Sequence, residues 1–250
     1  MAIMKKKEKI FVRCLLLLIV LAVLATLIAV LLWNGVIHLN HPSNKKYPIR
    51  GVDVSSYQGE IDWKTLSKQD IDFAYIKATE GSTLIDPQFM DNLQNAQKTD
   101  LKVGAYHFFS FDSSGNKQAK HFCEVVPAVS EMLPPVVDVE YYGKYSEKSK
   151  LSVRKIRLQL HHFIDKIQAY YGKTPIIYAT EESYDRFIAG DFKENPLWLR
   201  SVYSGVAKDI DWTFWQFSNR HVLSGYKGDE RFIDMNVYNG AAEEFRKQFG

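Results

Sequence analysis

The stretch "PPVVDVEYYGKYSEKSKLSVRKIRLQLHHFIDKIQAYYGKTPIIYAT", residues 134–180, decides the fold. Pro134 and Pro135 bar a helix, and the β-branched Val136, Val137 and Val139 follow, so residues 135–140 are expected to form a short buried strand. Further on, Ile156, Leu160, Phe163, Ile164 and Ile167 fall on one helical face. Gly172, with Pro175 beyond it, ends that helix. "PIIYAT", 175–180, is a second continuous apolar run. A strand, a helix and another strand, with both strands apolar on both faces, indicate a parallel sheet covered by helices.

The same alternation extends outward in both directions. Strands are expected at 49–55, 73–79, 102–110, 135–140, 175–180, 197–202, 213–218 and 231–238, with helical patterns at 62–69, 86–99, 116–129 and 152–172. Eight strands suggest a closed barrel of the α/β class. The last three strands leave no room for full helices between them, so the barrel is expected to be irregular in its final third.

In such barrels the chemistry gathers at the C-terminal ends of the strands. Asp53, Glu80, Tyr106 with His107, Asp138 with Glu140, Tyr178, Trp215 with Gln216, and Asp234 are all expected there. Residues i and i+2 of a strand share a face about 6–7 Å apart, so Asp138 and Glu140 should stand side by side. Two carboxylates that close raise one another's proton affinity, and a neutral acid beside an anionic one suits glycoside hydrolysis. The plainer alternative is a strand running into solvent with two surface acids. Tyr and Trp between the acids suit a sugar, whose ring faces stack on them; core packing is the other use for such residues.

Residues 14–33 carry no charge and are long enough to span a bilayer. The run is longer than the apolar core of a signal peptide, and "LLWNGVIHLNH" after it offers no small-x-small cleavage site. Lys5, Lys6, Lys7, Lys9 and Arg13 precede it against the single acid Glu8, which puts the N-terminus in the cytoplasm and everything after about residue 36 outside, periplasmic or extracellular. The expected organisation is a basic cytoplasmic segment (1–13), a transmembrane signal-anchor (14–36), a polar linker (37–48) and a barrel domain (49–250). Residues 1–48 hold seven Lys/Arg and one acid, +6, while the whole chain is +3, so the remainder is about −3. The basic balance belongs to the anchor and gives no reason to expect a nucleic-acid partner. Cys14 and Cys123 are expected on opposite sides of the membrane and unpaired. No metal-ligand spacing appears among the seven histidines.

"RGVDVSSYQGEIDW", "FAYIKATEG", "IDPQF", "VGAYHFF", "PPVVDVE", "PIIYA", "LWLRSV", "WQFS" and "IDMNVYNG" follow one another in an order that resembles the glycoside hydrolase family 25 lysozymes, the Chalaropsis-type muramidases. The resemblance covers residues 49–250. It implies an irregular TIM-like (β/α)5(β)3 barrel that hydrolyses the β-1,4 bond between N-acetylmuramic acid and N-acetylglucosamine in peptidoglycan, without metal or cofactor. The family's acids fall on Asp53, Asp138, Glu140 and Asp234. Glu140 is expected as general acid, with Asp138 assisting the substrate's 2-acetamido group in one of the exceptions to the two-carboxylate scheme. Asp53 and Asp234 would hold water or sugar hydroxyls; a direct or inverting displacement using one of them stays open. Glu80, Tyr106, Tyr178, Trp215 and Gln216 are expected to contact the glycan. "LWLRSVY" departs from the more usual "LW-I-A-x-Y", which puts the rim of the sixth strand in doubt. Peptidoglycan strands and the membrane are the expected partners of a monomer. The alternatives are a tethered peptidoglycan-binding domain without turnover, and a hydrolase of another N-acetylated glycan such as chitin.

Overall fold

The computed structural model describes residues 2–249, with side chains from Glu8 onward. Met1, Gly250 and the basic side chains Lys5, Lys6 and Lys7 of the expected cytoplasmic flank lie outside the described residues. The chain forms two compact units, one up to Leu39 and one from Asn40. The first is helix α1, Ala2–Trp33. Its segment Glu8–Trp33 reaches a mean hydropathy of 3.4, with none of that stretch buried, and is long and apolar enough to cross a membrane.

The second unit is the barrel. Its eight strands are β1 (Arg50–Val54), β2 (Phe73–Glu80), β3 (Lys102–Phe108), β4 (Val136–Val139), β5 (Ile176–Thr180), β6 (Leu197–Arg200), β7 (Phe214–His221) and β8 (Ile233–Tyr238). They follow the expected positions. The ladder runs parallel from β1 through β7, and β8 closes the ring antiparallel to both β7 and β1. Short α2 (Trp63–Leu66), then α3 (Phe89–Ala96), α4 (Gly115–Val125) and the long α5 (Val153–Tyr171) cross between the first five strands. Between β5 and β6 lie α6 (Glu181–Ser183) and one π-turn, Tyr184–Ile188. A C-terminal helix that periodicity did not reveal, α7 (Ala242–Phe249), inserts Phe245 and Phe249 among Phe73, Phe214 and Tyr238. An antiparallel pair, Glu60–Ile61 with Tyr226–Lys227, joins the loops after β1 and β7.

Helix α5 starts at Ser152, whose side chain caps Lys155 N–H, and stops at Gly172 in the left-handed conformation, φ 66°. Its buried face is Ile156, Leu160, Phe163, Ile164 and Ile167, the face expected from the sequence. The barrel interior is aromatic: Phe73, Tyr75, Trp198, Phe214 and Tyr238 fill it. Gly104 makes room for that filling, since a Cβ there would lie 2.2 Å from the Tyr75 ring. Residues 40–48, expected as a polar linker, lie against the barrel wall. Asn40 is buried and donates to Ser201 O (3.0 Å) and Phe217 O (3.1 Å), and the Tyr47 ring packs 5.6 Å from Trp212.

Candidate active site

Strand alternation sets the site. On β4, Val137 and Val139 face the outer helices, while Val136 and Asp138, with Glu140 just beyond, face inward. They line a cleft of about 690 Å³ at the end of the barrel where the parallel strands finish. The two acids therefore share one wall, as their spacing predicted.

Asp53 and Asp234 come from the opposite side. They face one another across the antiparallel β1–β8 ladder. Asp234 was expected at a strand's C-terminal end. It lies instead next to the start of β8, and it reaches the cleft because β8 runs opposite to its neighbours. Asp53 accepts from Asn236 Nδ2 at 2.7 Å and from Gln216 Nε2 at 3.0 and 3.2 Å. Each amide is oriented from behind: Trp198 Nε1–H donates to Asn236 Oδ1 (2.9 Å) and Tyr178 Oη–H to Gln216 Oε1 (3.0 Å). An indole offers only a donor, so the Asn236 amide can turn only its N–H toward Asp53. Asp53 and Asp234 also influence one another's proton affinity across the ladder. Burial and the Asp53 charge push Asp234 well above the usual carboxylate range. Burial raises Asp53 as well, against the pull of its two amide donors. The upward push is therefore stronger on Asp234 than on Asp53, whose anion the two amides favour.

Asp138 is 8 % exposed, and its Oδ1 is buried without a hydrogen-bond partner among the described residues. Burial first, and Glu140 second, push it well above the usual range. Glu140 is raised by burial, with Arg200 opposing. The stronger upward push falls on Asp138 rather than Glu140, because Asp138 is the more enclosed.

Tyr106, Tyr178 and Gln216 line the cleft as expected, but Trp215 and Glu80 do not. Trp215 is adjacent to Gln216, so the two point to opposite faces of β7. Gln216 turns inward. Trp215 lies under the outer layer, donating to Ser201 O at 2.9 Å beside Trp212 and Phe217. Glu80 ends β2 past a ladder irregularity between Lys77 and Thr79, and it turns back to pair with Lys77 Nζ at 2.7 Å. His107, behind Tyr106, faces outward, stacked on Phe163 at 4.7 Å. Lys77, Arg200 and Asn236 escaped the sequence reading. Asn236 carried a signal, standing two residues after Asp234 on the same strand face. Arg200 carried one too, as the odd residue of "LWLRSV".

A barrel whose parallel strands end in a cleft with four enclosed carboxyl groups, one adjacent pair among them, is built like a glycoside hydrolase. Residues 52–226 match the model for glycosyl hydrolases family 25, and the chain belongs to that family. A family 25 glycosyl hydrolase structure from Bacillus anthracis is 45% identical with a TM-score of 0.79, covering 86% of this chain and 98% of that one. Among curated relatives, the uncharacterized protein YegX of Escherichia coli K12 is 37% identical, over 80% of this chain and 73% of its own length. Lysozyme M1 of Streptomyces globisporus is 32% identical, over 78% of this chain and 69% of its own.

Proposed function

We propose that the chain is a peptidoglycan muramidase, a lysozyme that hydrolyses the β-1,4 bond from N-acetylmuramic acid to N-acetylglucosamine, working from the membrane to which α1 anchors it. The observation that carries the mechanism is Asp138 Oδ1, a buried acceptor without a donor, beside Glu140 in the cleft. A buried acceptor left unsatisfied costs roughly 1–3 kcal/mol, which a bound ligand with a matching donor recovers. The N–H of the substrate's 2-acetamido group is such a donor. Its approach favours the Asp138 anion, and the proton of the pair then resides on Glu140.

Glu140 protonates the leaving sugar oxygen as the acetamido oxygen attacks its own anomeric carbon. Asp138 balances the positive charge that develops on the acetamide nitrogen. The oxazolinium that forms is opened by water, with Glu140, now anionic, taking the proton. Asp53, whose anion Asn236 and Gln216 favour, and Asp234 form the opposite wall and bind sugar hydroxyls or the incoming water. Lysozyme M1 among the relatives supports the substrate class.

The test is the purified full chain run through a gel loaded with cell walls. A cleared zone is expected from the wild type and none from Glu140→Gln. Tight binding to walls with no clearing by the wild type would favour the binding-domain alternative. Clearing of chitin but not of walls would favour the other-glycan alternative.

A further inference from the structure

Arg200 is the side chain the proposed mechanism leaves unused. It ends β6, between Thr180 of β5 and Gln216 of β7 in the ladder, and it lines the cleft. It is half-buried, and its positive charge draws all four acids, Asp53, Asp138, Glu140 and Asp234, toward their anions. Lys77, another cation of the cleft, is already paired with Glu80 at 2.7 Å. Among the described residues, Arg200 has no carboxylate within 4.0 Å and no hydrogen bond. Asp53 is already met by the amide donors of Asn236 and Gln216. The guanidinium is thus a half-buried fork without a carboxylate partner among the described residues, lining the proposed sugar-binding cleft.

The substrate narrows the choice of partner. N-acetylglucosamine is uncharged. N-acetylmuramic acid adds a lactyl ether at O3, on the ring carbon next to the one bearing the acetamido group. The lactyl carboxyl is a neutral amide while a stem peptide is attached and an anion once the peptide is gone. A guanidinium meets a free carboxylate with two parallel N–H bonds, which an amide cannot accept. We propose that Arg200 is a specificity-determining residue that receives the free lactyl carboxylate, so that the enzyme acts preferentially on peptide-free glycan. The inference rests on the muramidase reading. It places the enzyme after an amidase-type hydrolysis, in which water cleaves the lactyl–peptide C–N bond, leaving the carboxylate on the sugar and the amine on the peptide.

The experiment compares the full-length wild type, Arg200→Ala and Arg200→Lys on soluble glycan strands carrying stem peptides and on the same strands stripped of them, reading kcat/KM from new reducing ends. The wild type should prefer the stripped strands. Arg200→Ala should lose about ten- to a hundredfold more on stripped than on peptide-bearing strands, the range of a charge-assisted hydrogen-bonded pair. Arg200→Lys, with charge but no fork, should recover part of the preference and rules out a folding defect as the cause. Equal losses on both strands, or no change beyond a displaced limb of the pH–rate profile, would mean that Arg200 serves only the four acids and would overturn the inference alone. A wild type that cuts neither strand would overturn the muramidase reading, and this inference with it.

Discussion

In the proposed mechanism Asp138 is the residue on which the chemistry turns. If it orients the acetamide, its value depends on that group being present. Asp138→Asn should be strongly impaired on ordinary peptidoglycan, and the wild type similarly impaired on glycan whose muramic acid has lost its N-acetyl group. The two losses should not multiply when combined, because both remove one step. Good wild-type cleavage of the de-N-acetylated glycan would instead leave Asp138 as a tuner of Glu140. Glu140→Gln, which keeps the shape but has no proton to give, should lower kcat by at least about 10²–10⁴-fold while wall binding persists. A near-normal rate of reducing-end release from that variant would rule Glu140 out as the acid.

At the scale of elements, β3 and α4 meet through His107. Its Nε2–H donates to Gln118 Oε1 (3.0 Å), and Thr79 Oγ1 lies 2.7 Å from Nδ1. Gln118 also ties down both backbone groups of Ser110, and Ser110 Oγ bonds Tyr142 on the loop after β4. The ring is held neutral, its pKa lowered to about 3 by burial. Below about pH 6.5 the unfolded chain takes up a proton that the folded one refuses, so this contribution to stability is present above that pH and declines as pH falls toward 3. The buried carboxyl groups slope the other way, since their raised affinities stabilise the fold at low pH and lose that effect as pH rises. They are common to wild type and variant, so the difference isolates the histidine. Chemical denaturation at several pH values should show His107→Gln gaining on the wild type by roughly 1.4 kcal/mol per pH unit below 6.5. Parallel curves would mean that the histidine charges in place. A second element-scale test is Gly104→Val, which drives a side chain into the Tyr75 ring and should destabilise the barrel by roughly 1–3 kcal/mol or more in the same measurement.

For the molecule as a whole, the question is where the cleft works. The helix Glu8–Trp33 should keep the full chain in the membrane fraction through high salt and alkaline washing. Protease added from the outer side should reach the barrel, and protease on the cytoplasmic side should not. A soluble pool of protein beginning beyond Asn34 would show instead that the helix is removed as a signal sequence. The barrel has its own interior and outer cores, and residues 40–48 pack against its wall. A chain cut just before Asn40 should therefore keep its thermal stability, and one cut at Ile49 should lose some.

Much of this was legible in the chain. The eight strands, their order, the buried face of α5 and the placement of Asp138 beside Glu140 all follow from local periodicities, and a period can be read wherever it occurs. The motif order identified the family. What the chain could not reveal was which face of each strand turns inward, and which way β8 runs, because both depend on how the ladder closes. Trp215 and Gln216 compete for the same inward position by being neighbours, and only closure gives it to Gln216. Asp234 reaches the cleft because β8 returns antiparallel. Glu80 misses it because of a ladder irregularity, whereas Arg200 reaches it. The state of the acids belongs wholly to tertiary structure. Asp234 is pushed up further than Asp53 because residues far apart in sequence bring two oriented amides to Asp53 and only a shared buried wall to Asp234.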